Sequence, residues 1–145
     1  MRACHHKNII KLIDEFQVGI KELYLVMEFC EGGNLRDYMH EVGGPLAEKV
    51  TRQFASQIKD ALLYLREKKI THRNLKPGHI LLTEQSEKAV IKITDFGASK
   101  FKKVDSSGMT AYKTAAGGGS SYVAPEVLAK GGVATADTYR SNGTV

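Results

Sequence analysis

Apolar positions along this chain change period from two to three-and-four and back again. Short apolar runs at 9–13 (Ile-Ile-Lys-Leu-Ile) and 23–29 (Leu-Tyr-Leu-Val-Met-Glu-Phe) predict two strands with a turn near Gly19. Gly32-Gly33 then breaks the chain, and Asn34 is placed to cap a short helix carrying Leu35, Tyr38 and Met39 on one side. After a second break at Gly43-Gly44-Pro45, Val50, Phe54, Ile58, Ala61, Leu62 and Leu65 recur at three- and four-residue steps. That spacing predicts a helix over about 46–69 with one apolar face, a core element rather than a site. Runs at 80–82 and 90–93 predict a strand pair joined by the polar turn at 84–87. From 98 to 121 the chain is rich in Gly, Ser, Thr and Lys, a structureless stretch of a length that is either functional or disordered. Beyond Leu128 the pattern is weak, and no internal repeat is visible. Two strands, helices, a strand pair and a long polar loop make an α+β protein.

Composition narrows the setting more than the chemistry. The chain's 145 residues suffice for one compact domain with a core. Its 26% charged and 42% hydrophobic residues are those of an ordinary globular protein. No apolar run approaches membrane-spanning length, and the first eight residues carry no apolar core of a secretory leader. The expected setting is the cytoplasm or nucleus, with no membrane. The two cysteines, Cys4 and Cys30, make no disulfide framework, and Cys4-His5-His6 lacks the second ligand pair of a metal finger. The net charge of +5 is spread along the chain, and its densest cluster (Lys100, Lys102, Lys103) has no interleaved aromatic residues. A nucleic-acid partner is therefore not expected.

The chemistry sits in two stretches and a tripeptide. His72-Arg73-Asn74-Leu75-Lys76-Pro77-Gly78-His79 leads into the 80–82 strand, Asp95-Phe96-Gly97 follows the second strand of that pair, and Ala124-Pro125-Glu126 closes the polar loop. Each tripeptide alone arises readily by chance. Their order, after a long amphipathic helix, is specific, and it resembles the catalytic loop, magnesium loop and activation-segment end of eukaryotic protein kinases. The resemblance covers nearly the whole chain and implies a partial protein kinase-like fold. Residues 1–33 would be a remnant of the N-terminal lobe and hinge, and 34–145 part of the C-terminal lobe.

That resemblance assigns roles. His6-Lys7-Asn8-Ile9-Ile10 is similar to the link after the family's helix αC. Met27 stands at the gatekeeper position, the backbones of Glu28 and Cys30 would face adenine, and Leu81 would lie beneath it. Lys76, two residues past the base position, points to the serine/threonine type, where a lysine offsets charge on the transferred phosphoryl group. Arg73 would pair with a phosphate on the polar loop, whose candidates are Ser106, Ser107, Thr110, Tyr112, Thr114, Ser120 and Ser121. Asp137 is similar to the start of helix αF. ATP and Mg2+ are the implied cofactors, and a protein the implied substrate or partner. Residues 27–30, Gly78 and 93–98 resemble the inhibitor-of-kappa-B-kinase-related kinases, with the calcium/calmodulin-dependent-like kinases as the alternative subfamily.

Four departures from the family pattern bear on activity. Asn74 stands where active kinases carry the aspartate base, and a neutral amide takes no proton near neutral pH. His79 stands where a metal-binding asparagine belongs, although imidazole suits zinc, copper or iron better than magnesium; Asp95 is the one good magnesium ligand left. In the family the glycine-rich loop, the phosphate-pairing lysine and its αC glutamate precede the point where this chain starts. Gly119 replaces a threonine that would bond the catalytic loop. The expectation is a truncated and catalytically degenerate kinase domain: a fragment or a pseudokinase binding module, with a weakly active serine/threonine kinase as the alternative.

Overall fold

The computed structural model describes residues 4–20, 22–101, 111–113, 122 and 133–135. Its core is built on an antiparallel pair, β4 (Ile80–Leu82) and β5 (Ile91–Ile93), in the register Ile80↔Ile93 and Leu82↔Ile91. Those four side chains are buried and alternate with Leu81 and Lys92, which are not, so a period-two pattern fills one face. Against that face lies α2 (Glu48–Glu67), which contributes Val50, Phe54, Ala61 and Leu65 to the same cluster. The shorter α1 (Leu35–Val42) adds Leu35 and Tyr38, while Met39 stays partly exposed.

The caps of α1 follow from local chemistry. The Asn34 side chain accepts the Asp37 N–H at 3.0 Å, satisfying one of the orphan amides of the first turn. Gly43 ends the helix at φ +74°, the left-handed conformation that a residue without Cβ adopts at no steric cost. Gly32 is required for a different reason. A Cβ there would lie 2.3 Å from the Glu84 carbonyl oxygen, because the Gly32 N–H donates to the Leu82 carbonyl and the Leu82 N–H to the Gly33 carbonyl. The glycine pair is thus the seam that fastens the chain after β2 onto β4.

The first strand pair departs from the sequence expectation. β1 is Leu12–Val18 and β2 is Glu22–Met27, paired antiparallel with a bulge between Leu12 and Asp14. The 9–13 run is not one strand. Ile9 and Ile10 are both buried, and their segment runs parallel to β5: the Ile10 N–H donates to the Ile93 carbonyl, and the Ile93 N–H to the Asn8 carbonyl, each at 2.9 Å. Two consecutive buried residues suit a third strand-like segment covered on both faces, not a two-stranded ribbon with one open face. Helix α2 is also shorter at both ends than 46–69. At the far end the chain leaves through Lys69 at φ +58°.

The polar stretch at 98–121 is not wholly without elements. β6 (Lys100–Phe101) pairs with β3 (Ile70–Thr71), and β7 (Ala111–Lys113) pairs with β8 (Val133–Thr135). Gly117 to Gly119, Ala124-Pro125-Glu126, Asp137 and every candidate phosphorylation position except Tyr112 lie outside the described residues. No described helix is long and apolar enough to cross a membrane.

Candidate active site

His72 organises the site from below. Its ring is buried because it packs edge-on against Phe96, with centroids 4.8 Å apart, and it bonds on both nitrogens. Nδ1 accepts the Asn74 N–H at 3.3 Å, so the proton sits on Nε2, which donates to the Thr94 carbonyl at 2.8 Å. Burial pushes its pKa below the ordinary histidine value, and the ring is neutral. Thr94 is held from the other side as well, its N–H donating to the His79 carbonyl at 2.9 Å. Residues 72–79 are thereby hung on the segment that delivers Asp95.

Three side chains converge at the surface end of this framework. The Asn74 amide donates from Nδ2 to Asp95 Oδ2 at 3.1 Å. His79 Nδ1 lies 3.2 Å from the same oxygen and 2.8 Å from the Asn74 carbonyl. A carbonyl only accepts, so Nδ1 carries a proton. Asp95 Oδ1 receives the Gly97 N–H at 3.4 Å, an Asx-type contact matching the left-handed backbone of Asp95 at φ +59°. Arg73, immediately before Asn74, is also left-handed at φ +68°, a conformation that costs about 1–3 kcal/mol in a non-glycine residue. Lys76 is half-buried and opens the 3₁₀ turn Pro77–His79, its carbonyl accepting the His79 N–H at 2.8 Å.

The remaining site residues line a second region at the end of β2. Met27 is partly exposed, Cys30 is buried, and Leu81 is half-buried between Ile80 and Leu82. The Glu28 N–H is taken by the Lys11 carbonyl at 3.0 Å. Among the described residues, the Glu28 carbonyl and the Cys30 N–H have no hydrogen-bond partner, which leaves one acceptor and one donor for the edge of a planar base. The Glu28 carboxylate accepts the Lys11 N–H at 2.7 Å and pairs with Lys92 Nζ at 3.0 Å. Burial alone would raise the Glu28 pKa, but these two partners outweigh it and hold the group below its ordinary value. Burial and the Glu28 charge push the Cys30 thiol up.

A magnesium ion does not fit this donor set. Asp95 Oδ2 already faces two donors, the His79 nitrogen beside it is protonated, and an imidazole stands where a second oxygen ligand would be needed. Magnesium demands near-octahedral oxygen ligands and gives up its water reluctantly.

The motifs give no role to Gln57 or Lys92, and Asn8 enters them only as part of the 6–10 link. Asn8 is fully buried, and its Nδ2 donates to Gln57 Oε1 at 2.8 Å and to the Ile91 carbonyl at 3.0 Å. Gln57 also accepts the Ile91 N–H and donates to the Ala89 carbonyl. The signal was present: Gln57 lies three residues after Phe54 and four before Ala61, a polar residue on the apolar face of α2.

Compared with known families, residues 1–143 match the protein kinase domain. Over 134 residues the chain is 37% identical to serine/threonine-protein kinase ULK1 of Homo sapiens, which covers 88% of this chain and 12% of that protein. It is 35% identical over 130 residues to serine/threonine-protein kinase atg1 of Dictyostelium discoideum, with coverage of 88% and 19%. Serine/threonine-protein kinase tousled-like 1-B of Danio rerio is 40% identical over 121 residues, with coverage of 81% and 16%. The chain thus spans less than a fifth of each of these relatives.

Proposed function

The chain belongs to the protein kinase domain family, and from that premise we propose that it is a kinase-fold binding module that transfers no phosphate. The family generally uses ATP and Mg2+, and the similar proteins are serine/threonine-protein kinases. One observation carries the reading for this chain. The residue at the base position, Asn74, turns its side-chain Nδ2 onto Asp95 while its main-chain carbonyl faces His79 Nδ1, and a side-chain amide cannot take the proton of an attacking hydroxyl. Its role is to hold the Asp95 loop in place. The surface so fixed docks on a protein partner in the cytoplasm.

Loss of a positioned base costs about 10²–10⁴-fold in rate. The test is incorporation of labelled phosphate from ATP into a mixed serine- and threonine-containing protein substrate. No incorporation above a protein-free blank is expected, with or without magnesium. Steady incorporation by the purified chain, abolished by Lys76→Ala, would overturn the reading. That outcome would favour the second reading, a weakly active serine/threonine kinase, for which Asp95 and Lys76 stand in the right order along the chain.

A further inference from the structure

We propose that the Asn74–His79–Asp95 cluster makes this a nucleotide site that works without magnesium. The ligand class is a nucleoside di- or triphosphate. The inference rests on the family membership and deepens the non-transferring reading above.

The argument starts from what each atom already does. Asp95 is the carboxylate that a divalent cation would need, and its Oδ2 is shared between Asn74 Nδ2 at 3.1 Å and His79 Nδ1 at 3.2 Å. The His79 side chain is only 16% exposed and is also tied to the Asn74 carbonyl, so it does not swing aside freely. To admit an octahedral cation on Oδ2, Asp95 would surrender the Asn74 amide and press the cation against the protonated face of the His79 ring, which stays tied to the Asn74 main-chain carbonyl. The two donors occupy the carboxylate oxygen that a cation would use, and Lys76, a cation, stands two residues from Asn74 on the same loop. At the other end, the Cys30 N–H and the Glu28 carbonyl remain for the base.

The test is equilibrium binding of N-methylanthraniloyl-ADP to the 145-residue chain, read by fluorescence anisotropy in EDTA and again in excess magnesium. The expected affinities agree within about twofold, since the metal brings no differential interaction. His79→Asn, which restores an oxygen ligand, and His79→Gln, which keeps a donor of similar length, are measured beside it. His79→Asn is expected to gain about tenfold in affinity on adding magnesium, and His79→Gln much less. A wild-type affinity that rises about tenfold with magnesium would overturn the proposal. So would a His79→Asn variant that melts as cooperatively as wild type yet stays indifferent to magnesium, because the cap would then not be the cause. Binding in neither condition would also overturn it, while leaving the absence of phosphate transfer standing.

Discussion

Two antiparallel strand pairs in this chain have similar apolar content and opposite fates. In β4–β5, Ile80, Leu82, Ile91 and Ile93 are all buried, while in β1–β2 every residue of β2 is exposed, including Leu23, Leu25 and Val26. The difference lies in what each pair packs against. β4–β5 has α2 on one face, the Ile9–Ile10 segment along one edge and the Gly32–Gly33 seam along the other. β1–β2 is held by its own ladder and by the stack of Phe16 on its cross-strand partner Tyr24, 5.2 Å between centroids. Apolar residues stabilise a fold only where a second layer removes them from water.

That comparison is open to direct attack. The largest effect belongs to Leu82→Ala, which empties a fully buried site beneath α2. It is expected to lower stability by about 3 kcal/mol or more, read as a shift in the urea midpoint. Gly32→Ala would drive a Cβ into the Glu84 backbone and is expected to cost about 1–3 kcal/mol by the same measurement. An unchanged midpoint would mean the seam is dispensable to the buried pair. Gln57→Ala removes the partner of the Ile91 N–H and the Ala89 carbonyl, again about 1–3 kcal/mol. Faster hydrogen exchange at the Ile91 amide would identify the cause.

Acid should separate the regions more gently. His72 is held neutral by burial, with the Thr94 carbonyl and the Asp95 charge acting the other way and His79 adding to the lowering. The unfolded chain therefore takes up the proton first. Stability is complete above the ordinary histidine value of about 6.5 and declines as the pH falls below it. His6 shifts in the same direction, mainly through burial, so His72→Gln is expected to flatten the decline in melting temperature without abolishing it. The smallest effect is expected from Leu25→Ser in β2, within about 0.5 kcal/mol, because that side chain is already 43% exposed. A loss as large as that of Leu82→Ala would show that β1–β2 is covered in solution.

The legible parts of this protein were those in which a local period or spacing has one meaning. The apolar steps from Val50 to Leu65 gave α2 its inward face, Asn34 gave α1 its cap, and the motifs at 72–79 and 95–97 gave the family. The 9–13 run is divided in the structure, Leu12 and Ile13 in β1 and Ile9 and Ile10 beside β5, because apolar residues look alike in either setting. What separates Ile9 and Ile10 from Leu12 is a hydrogen-bond partner, Ile93, more than eighty residues further along the chain. The same holds at the site. The sequence by itself determined that Asn74 and His79 stand where other residues are expected, since identity at a motif position needs no coordinates. Only the tertiary structure decided that both substituted side chains turn onto Asp95. Which donor meets which acceptor depends on how the 72–79 loop is hung from Thr94, a contact between distant segments that no local pattern encodes.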